Sequence, residues 1–267
     1  MLGTLVVPSH DPRTIMAHVA KPISSRICRS TADNIAVHGL DLTSEILGKV
    51  SLGQMAFLEI RGRLPSAGEA RVFESLVVAL VEHGLTPSVL AARLTYLGAP
   101  ESLQGAVAAG LSGLGNTFVG SVEGAARFLQ ETPADADPLV AARGIVDGFK
   151  VRKAIVPGIG HPIHKDVDPR SEKIFEIARE EGFSGAHVRL MRQVAVSASE
   201  AFGRHLPVNV SGAIGAVASE LGLDWRICRG IGVIARSIGL VAHLLEEIRN
   251  PLARELWLRT DEEGQAG

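Results

Sequence analysis

What most constrains this chain is a succession of helix-starting signals, each followed by apolar residues at helical rather than strand spacing. Pro65-Ser66-Ala67-Gly68-Glu69 reads as a capping box, with Ser66 as N-cap and Glu69 three residues later. Val72, Phe73, Leu76, Val77, Leu80 and Val81 then fall on helical spacing, and Gly84 supplies a stop. Thr86-Pro87 and Asp168-Pro169 repeat the start signal, because proline suits the first helical position. Ile174, Phe175, Ile177 and Ala178 follow the second of them. Further helices are expected at about 188–203, 211–221 and 225–248. β-Branched residues such as Val151 and Ile155-Val156 occur without sustained alternation. The pattern predicts an all-α fold.

Composition excludes several function classes. A hydrophobic share of 46% over 267 residues can build a sizeable core, in one large domain or two modest ones. With 27 Lys+Arg against 29 Asp+Glu, the chain lacks the basic balance that nucleic-acid phosphates favour, so no nucleic-acid partner is expected. Cys28 and Cys228 are too far apart in sequence for a disulfide framework or a zinc cluster, and they fit reduced thiols in the cytoplasm. The stretch Met1–Pro8 has no basic segment ahead of a long apolar run, so no signal peptide is expected. Ser102–Val122 is uncharged and long enough to span a bilayer. Its five glycines, three serines, Gln104, Asn116 and Thr117 make it too polar, so no membrane segment is expected there. Gly230, Gly232 and Gly239 lie inside an apolar helical pattern, where close helix–helix approach is the ordinary reason for glycine. Glu131–Pro138 reads as a surface loop.

The segment from Lys150 to Arg170 holds most of the chemistry. Gly158 and Gly160 permit close backbone approach to a ligand, and Lys150, Arg152, Lys153 and Lys165 offer cations to phosphates. The third glycine of a dinucleotide fingerprint is missing, and so is the Gly-Lys-Ser/Thr of a P-loop. His161-x-x-His164 with Asp166 and Asp168 raises the question of a metal. All four sit in one short loop, and Asp168 is better explained as the N-cap before Pro169, so no metal is expected. His83 precedes Gly84 at a helix end, where a histidine also interacts favourably with the helix dipole.

Taken in order, these segments resemble the citrate synthase superfamily, and especially the citryl-CoA lyase module at the C-terminus of ATP-citrate lyase. Gly158-Ile-Gly-His161 followed by Asp168-Pro-Arg170 is similar to the family's Gly-x-Gly-His and Asp-Pro-Arg segment. Asp33–Leu40 resembles its opening motif, Arg61–Pro65 its Leu-Pro turn, and Glu82-His83-Gly84 its first active-site histidine region. Asn209-Val-Ser-Gly212 resembles its Asn-Val-Asp-Gly segment, and Arg236–His243 its C-terminal arginine helix. The likeness covers roughly residues 30–260.

The resemblance implies an all-α, citrate synthase-like fold. It implies a large dimerising helical domain at 1–118 and 216–267, and a smaller domain at 119–215 with a CoA-binding loop. It also implies a homodimer or higher oligomer that binds a CoA thioester beside an oxaloacetate-like dicarboxylate. Carried over by position, His161 contacts the ketone or tertiary hydroxyl, and His83 helps to hold the dicarboxylate. Arg170 and Arg236 pair with its carboxylates, and Arg254 or Arg259 reaches a neighbouring subunit's site. CoA is assigned to Lys150, Arg152, Lys153, Gly158, Gly160, His164 and Lys165. Arginine's planar fork suits carboxylates, and this reading is favoured over the alternatives that Arg170 caps its own helix and Arg236 is a surface cation.

Three positions depart from the pattern. Citrate synthases place a histidine where this chain has Phe118, and the lyase module has phenylalanine there as well. Pro162 stands where the family often has arginine. Ser211 replaces the general-base aspartate, and a neutral serine cannot take over a carboxylate's proton without another base. The expected activity is therefore cleavage of citryl-CoA, or a related 3-hydroxy-3-carboxyacyl-CoA, to acetyl-CoA and an oxo acid. Condensation of acetyl-CoA with oxaloacetate, and CoA-thioester binding without catalysis, are the alternatives.

Overall fold

The computed structural model describes residues 24–265, so the expectation for Met1–Pro8 lies outside the described residues. The chain divides into two compact units, one up to residue 47 and the other from residue 48 onward.

The first unit holds a three-stranded antiparallel meander, β1 (Cys28–Ser30), β2 (Ile35–Val37) and β3 (Leu40–Asp41). Val37 pairs with Leu40, and His38 and Gly39 between them both have positive φ (49° and 88°). That is the two-residue type I′ turn that matches strand twist. Asp41 then accepts from the backbone N–H groups of Thr43 and Ser44 and starts a short π-helical turn, Leu42–Ile46. The low strand content agrees with the sequence. The strands stand at 28–41, however, and not near Val151 or Ile155.

The second unit is helical: α1 (Leu52–Arg61), α2 (Ala67–Val81), α3 (Pro87–Gly98), α4 (Leu103–Ser112), α5 (Gly120–Glu131), α6 (Pro138–Val151), α7 (Pro169–Glu180), α8 (Ala186–Phe202), α9 (Val210–Glu220), α10 (Trp225–Arg249) and α11 (Ala253–Gln265). The predicted capping box is present, with Ser66 and Glu69 exchanging side-chain and backbone hydrogen bonds at the start of α2. The centre of the unit is α9, buried on every side from Gly212 to Ser219. It packs against α5, α7 and α8, and more lightly against α2 and α10. A smaller core of Val89, Ala92, Ala106, Leu240 and Leu244 joins α3 and α4 to α10.

Among the described helices, α10 is long and apolar enough to cross a membrane, but it lies against α2, α3, α4, α5 and α9. Gly239 permits that packing, because a Cβ there would run into the Val81 carbonyl at the end of α2. Gly232 does the same against Val119. Gly230 differs from expectation: nothing lies near the position its Cβ would take, so helix contact does not explain it.

Candidate active site

Four helices begin around one cavity of about 450 Å³. Thr86, Pro87 and Ser88 open α3, Ser121 and Val122 lie in the first turn of α5, Arg170 in that of α7, and Val210 and Ser211 in that of α9. Each of these helices turns the positive end of its dipole toward the cavity, which favours an anion, although the first-turn N–H groups of α5, α7 and α9 are already held by Asp168, Asn209 and turn carbonyls. Arg170 and Arg236 add two guanidinium groups. Among the described lining residues Glu82 is the one carboxylate, and it is held by His243 Nε2 (3.0 Å) and the backbone N–H groups of His83 and Gly84 (2.7 and 2.6 Å).

Arg236 is nine-tenths buried on α10, and its Nε and Nη1 have no hydrogen-bond partner among the described residues. Burial pushes its pKa down, opposed by the charge of Glu82. An unpaired buried cation is costly, so it marks a place where a ligand anion belongs. Thr86 Oγ1, which also lines the cavity, is a third buried polar atom without a partner among the described residues. The reading of Arg236 as a surface cation is therefore set aside.

Arg170 is fixed by Asp168, a fully buried carboxylate. One Asp168 oxygen accepts from Arg170 N (3.1 Å) and Nε (3.0 Å), and the other from Arg170 Nη2 (2.9 Å) and from Val210 N–H (2.9 Å) at the start of α9. Burial pushes the Asp168 pKa up, but the Arg170 and Val210 hydrogen bonds outweigh it and hold the carboxyl below its usual range. Asp168 is thus the predicted N-cap and also the clamp that aims Arg170.

His161 has a defined tautomer. Its Nδ1 accepts from the backbone N–H groups of Ile163 (3.2 Å) and His164 (3.1 Å), so the ring proton sits on Nε2. That Nε2 lies 3.4 Å from Arg170 Nη2. Two donors at this separation can share one ligand oxygen. His83 Nδ1 stands 3.5 Å from Arg170 Nη1. Burial, followed by the charges of Arg170 and Arg236, lowers the His83 pKa. Burial is also the main cause at His161, where His164 and Arg170 add to it against the opposing charge of Asp168. Both rings are neutral at pH 7 and suited to donating hydrogen bonds to an oxygen anion.

The loop bearing His161 is seated on α9. Gly158 has φ +80°, and a Cβ there would lie 2.5 Å from Gly212 Cα. Its N–H donates to Ser121 Oγ (2.9 Å), and its carbonyl accepts from Asn209 N (3.0 Å). Asn209 caps α9 through Oδ1 and donates from Nδ2 to the Gly160 carbonyl (2.7 Å). Gly158 is required by this packing, beyond the ligand approach read from the sequence.

The cavity thus gathers His83, Phe118, Gly158, Gly160, His161, Arg170, Ser211 and Arg236. The other sequence candidates lie outside its lining. Lys150 belongs to the last turn of α6, not to a loop, and donates to the Ala201 carbonyl (3.0 Å). Arg152 stacks on Phe149, Lys153 and Lys165 are exposed, and His164 stacks on His161 with ring centroids 4.6 Å apart. Arg254 and Arg259 are exposed on α11, where Arg259 meets Glu263. No group of three or more His, Cys, Asp or Glu among the described residues is arranged to hold a metal ion. Glu82 and Thr86 were read from the sequence only as part of a family motif and a helix start, and Ser121 was missed; all three line the cavity.

A family model described as citrate synthase, C-terminal domain, matches residues 10–256. The chain belongs to the citrate synthase family. Its described residues carry the all-α, citrate synthase-like fold that the sequence led us to expect. Citryl-CoA lyase from Hydrogenobacter thermophilus is 35% identical with a TM-score of 0.78, covering 86% of this chain and 88% of that one. ATP citrate lyase from Methanothrix soehngenii, in complex with citrate and coenzyme A, shares the fold at 23% identity and a TM-score of 0.72, over 93% of this chain and 44% of that one. The probable ATP-citrate synthase subunit 1 of Neurospora crassa is 27% identical over 262 residues. The match takes in 90% of this chain but spans only 38% of the Neurospora protein.

Proposed function

We propose that this chain is a citryl-CoA lyase-type enzyme, cleaving citryl-CoA or a related 3-hydroxy-3-carboxyacyl-CoA to acetyl-CoA and an oxo acid such as oxaloacetate. The observation that carries this reading is the buried, unpartnered guanidinium of Arg236 facing a cavity ringed by helix N-termini. A carboxylate there satisfies both orphan nitrogens, and a second carboxylate meets Arg170 Nη1 and His83. The tertiary oxygen then lies between His161 Nε2 and Arg170 Nη2. The hydroxyl proton passes to solvent water in the cavity, and these donors stabilise the alkoxide left behind. The carbon–carbon bond breaks, the alkoxide becomes the ketone of the oxo acid, and the bonding pair forms the enolate of acetyl-CoA. The enolate carbon then takes one proton from solvent water, balancing the one lost from the hydroxyl, and acetyl-CoA is complete.

Phe118 supports cleavage over condensation, because the lyase module carries phenylalanine where citrate synthases place a histidine. Coenzyme A enters as the thioester, with Lys153 and Lys165 as partners for its phosphates. A homodimer or higher oligomer is part of the proposal. Ile238, Val241, Leu245 and Ile248 form an exposed apolar stripe on α10, and 1–118 with 216–267 would be the dimerising side. The apolar face of α2 is buried within the chain at Val72, Phe73, Leu76 and Val77. Turnover assays test the reading. Citryl-CoA should yield acetyl-CoA and oxaloacetate. Condensation without cleavage would favour the synthase, and CoA binding with neither reaction would leave a binding protein.

A further inference from the structure

We propose that His243 and Arg93 are positioning residues for the dicarboxylate site, acting through Glu82 to fix the turn that carries His83. The inference rests on the functional reading above. Neither residue lines the cavity.

His83 follows α2, where the chain leaves the helix at Glu82 and turns at Gly84 with φ +70°. One oxygen of Glu82 accepts from the backbone N–H groups of both His83 and Gly84, so this carboxylate sets the shape of the turn. Glu82 is itself half exposed and would be free to rotate, but His243 Nε2 lies 3.0 and 3.1 Å from its two oxygens. Arg93 Nη2 stands 3.0 Å from His243 Nδ1. An arginine is always a donor, so Nδ1 is the acceptor and the ring proton lies on Nε2, directed at Glu82.

Arg93 is anchored in turn. It is almost fully buried, and it donates from Nη1 to Glu247 (2.9 Å) and from Nη2 to Glu246. Glu247 also accepts from the N–H groups of Leu252 (2.9 Å) and Ala253 (2.9 Å) where α11 begins. A continuous hydrogen-bonded chain therefore runs from the start of α11 through Glu247, Arg93, His243 and Glu82 to the backbone of His83. It determines where the His83 ring meets Arg170 Nη1 and a bound carboxylate.

The test measures oxaloacetate and CoA affinities separately by calorimetry, with a melting curve for each variant. His243→Leu removes the donor to Glu82 and should weaken oxaloacetate binding by about tenfold to a hundredfold, the scale expected from misplacing a binding group. CoA affinity should stay at the wild-type value. His243→Gln, which can donate to Glu82 and accept from Arg93, should recover most of the loss. Should His243→Leu fail to fold, Glu82→Gln gives the same test, because its amide offers one acceptor oxygen where the carboxylate serves the His83, Gly84 and His243 N–H groups with two. Arg236→Met serves as the control for the site itself. Wild-type oxaloacetate affinity in His243→Leu, while Arg236→Met loses it, would overturn the inference. Equal weakening of both ligands, or no recovery with His243→Gln, would reduce the chain to general support of the fold and overturn it too. Oxaloacetate binding untouched by Arg236→Met would overturn the underlying site reading instead.

Discussion

Replacing Arg236 by methionine should stabilise the free protein and abolish tight dicarboxylate binding. Most substitutions of a nine-tenths buried residue destabilise. Here two guanidinium nitrogens are buried without partners, and the nearest opposing charge, Glu82, is already committed to His243 and two backbone N–H groups. Methionine fills similar volume without a charge to desolvate. Relief of an unpaired buried cation is worth about 1–3 kcal/mol, which for a chain of this size is a rise in Tm of roughly 3–10 °C. Binding moves the opposite way. Removing one side of a buried charge pair costs about 2–5 kcal/mol, or about 30- to 4,000-fold in Kd. Thermal melts without ligand and calorimetry with oxaloacetate measure the two halves. A lower Tm with unchanged oxaloacetate affinity would refute the reasoning.

Other outcomes follow from the same geometry. Asp168→Asn breaks the clamp on Arg170 and Val210 and should cost about 3 kcal/mol at pH 7. Because the folded pKa of Asp168 is depressed, its contribution is present above about pH 4 and is lost as pH falls further, so the gap between variant and wild type should narrow in acid denaturation curves. His83 and His161 have lowered pKa values, so the unfolded chain binds more protons. Stability should fall as pH drops below about 6.5, and proton NMR should show both rings titrating below the ordinary histidine range. Gly158→Ala should destabilise by about 2 kcal/mol or more, read as a lower denaturation midpoint, because its Cβ meets Gly212 and its φ is positive. Ser211→Asp puts a carboxylate at the start of α9. Turnover of citryl-CoA should rise by about 10²-fold or more if protonation of the enolate limits the rate, and a slower variant would mean the serine is adapted to its own mechanism.

Local chemistry made much of the fold readable. The Ser66, Thr86 and Asp168 signals mark the starts of α2, α3 and α7, and the expected later helices match α8, α9 and α10 to within about two residues, the usual uncertainty of helix ends. α4 and α5 were hidden because Gly105, Gly110 and Gly120 mask helical propensity, and Gly110 matters only once Leu240 of α10 packs against it. Strands of two or three residues are too short for alternation to register. Within the site, residues as distant as His83, His161 and Arg236 could be grouped only through the family motifs. The orphan state of Arg236 and the link from Arg93 to Glu82 depend on how α2, α3 and α10 pack. No spacing rule encodes that.

The most direct test is a structure with oxaloacetate and coenzyme A bound. The account predicts a carboxylate on Nε and Nη1 of Arg236, with the ketone oxygen between His161 Nε2 and Arg170 Nη2. Oxaloacetate bound elsewhere, or an Arg236 guanidinium still without a partner in the complex, would contradict it.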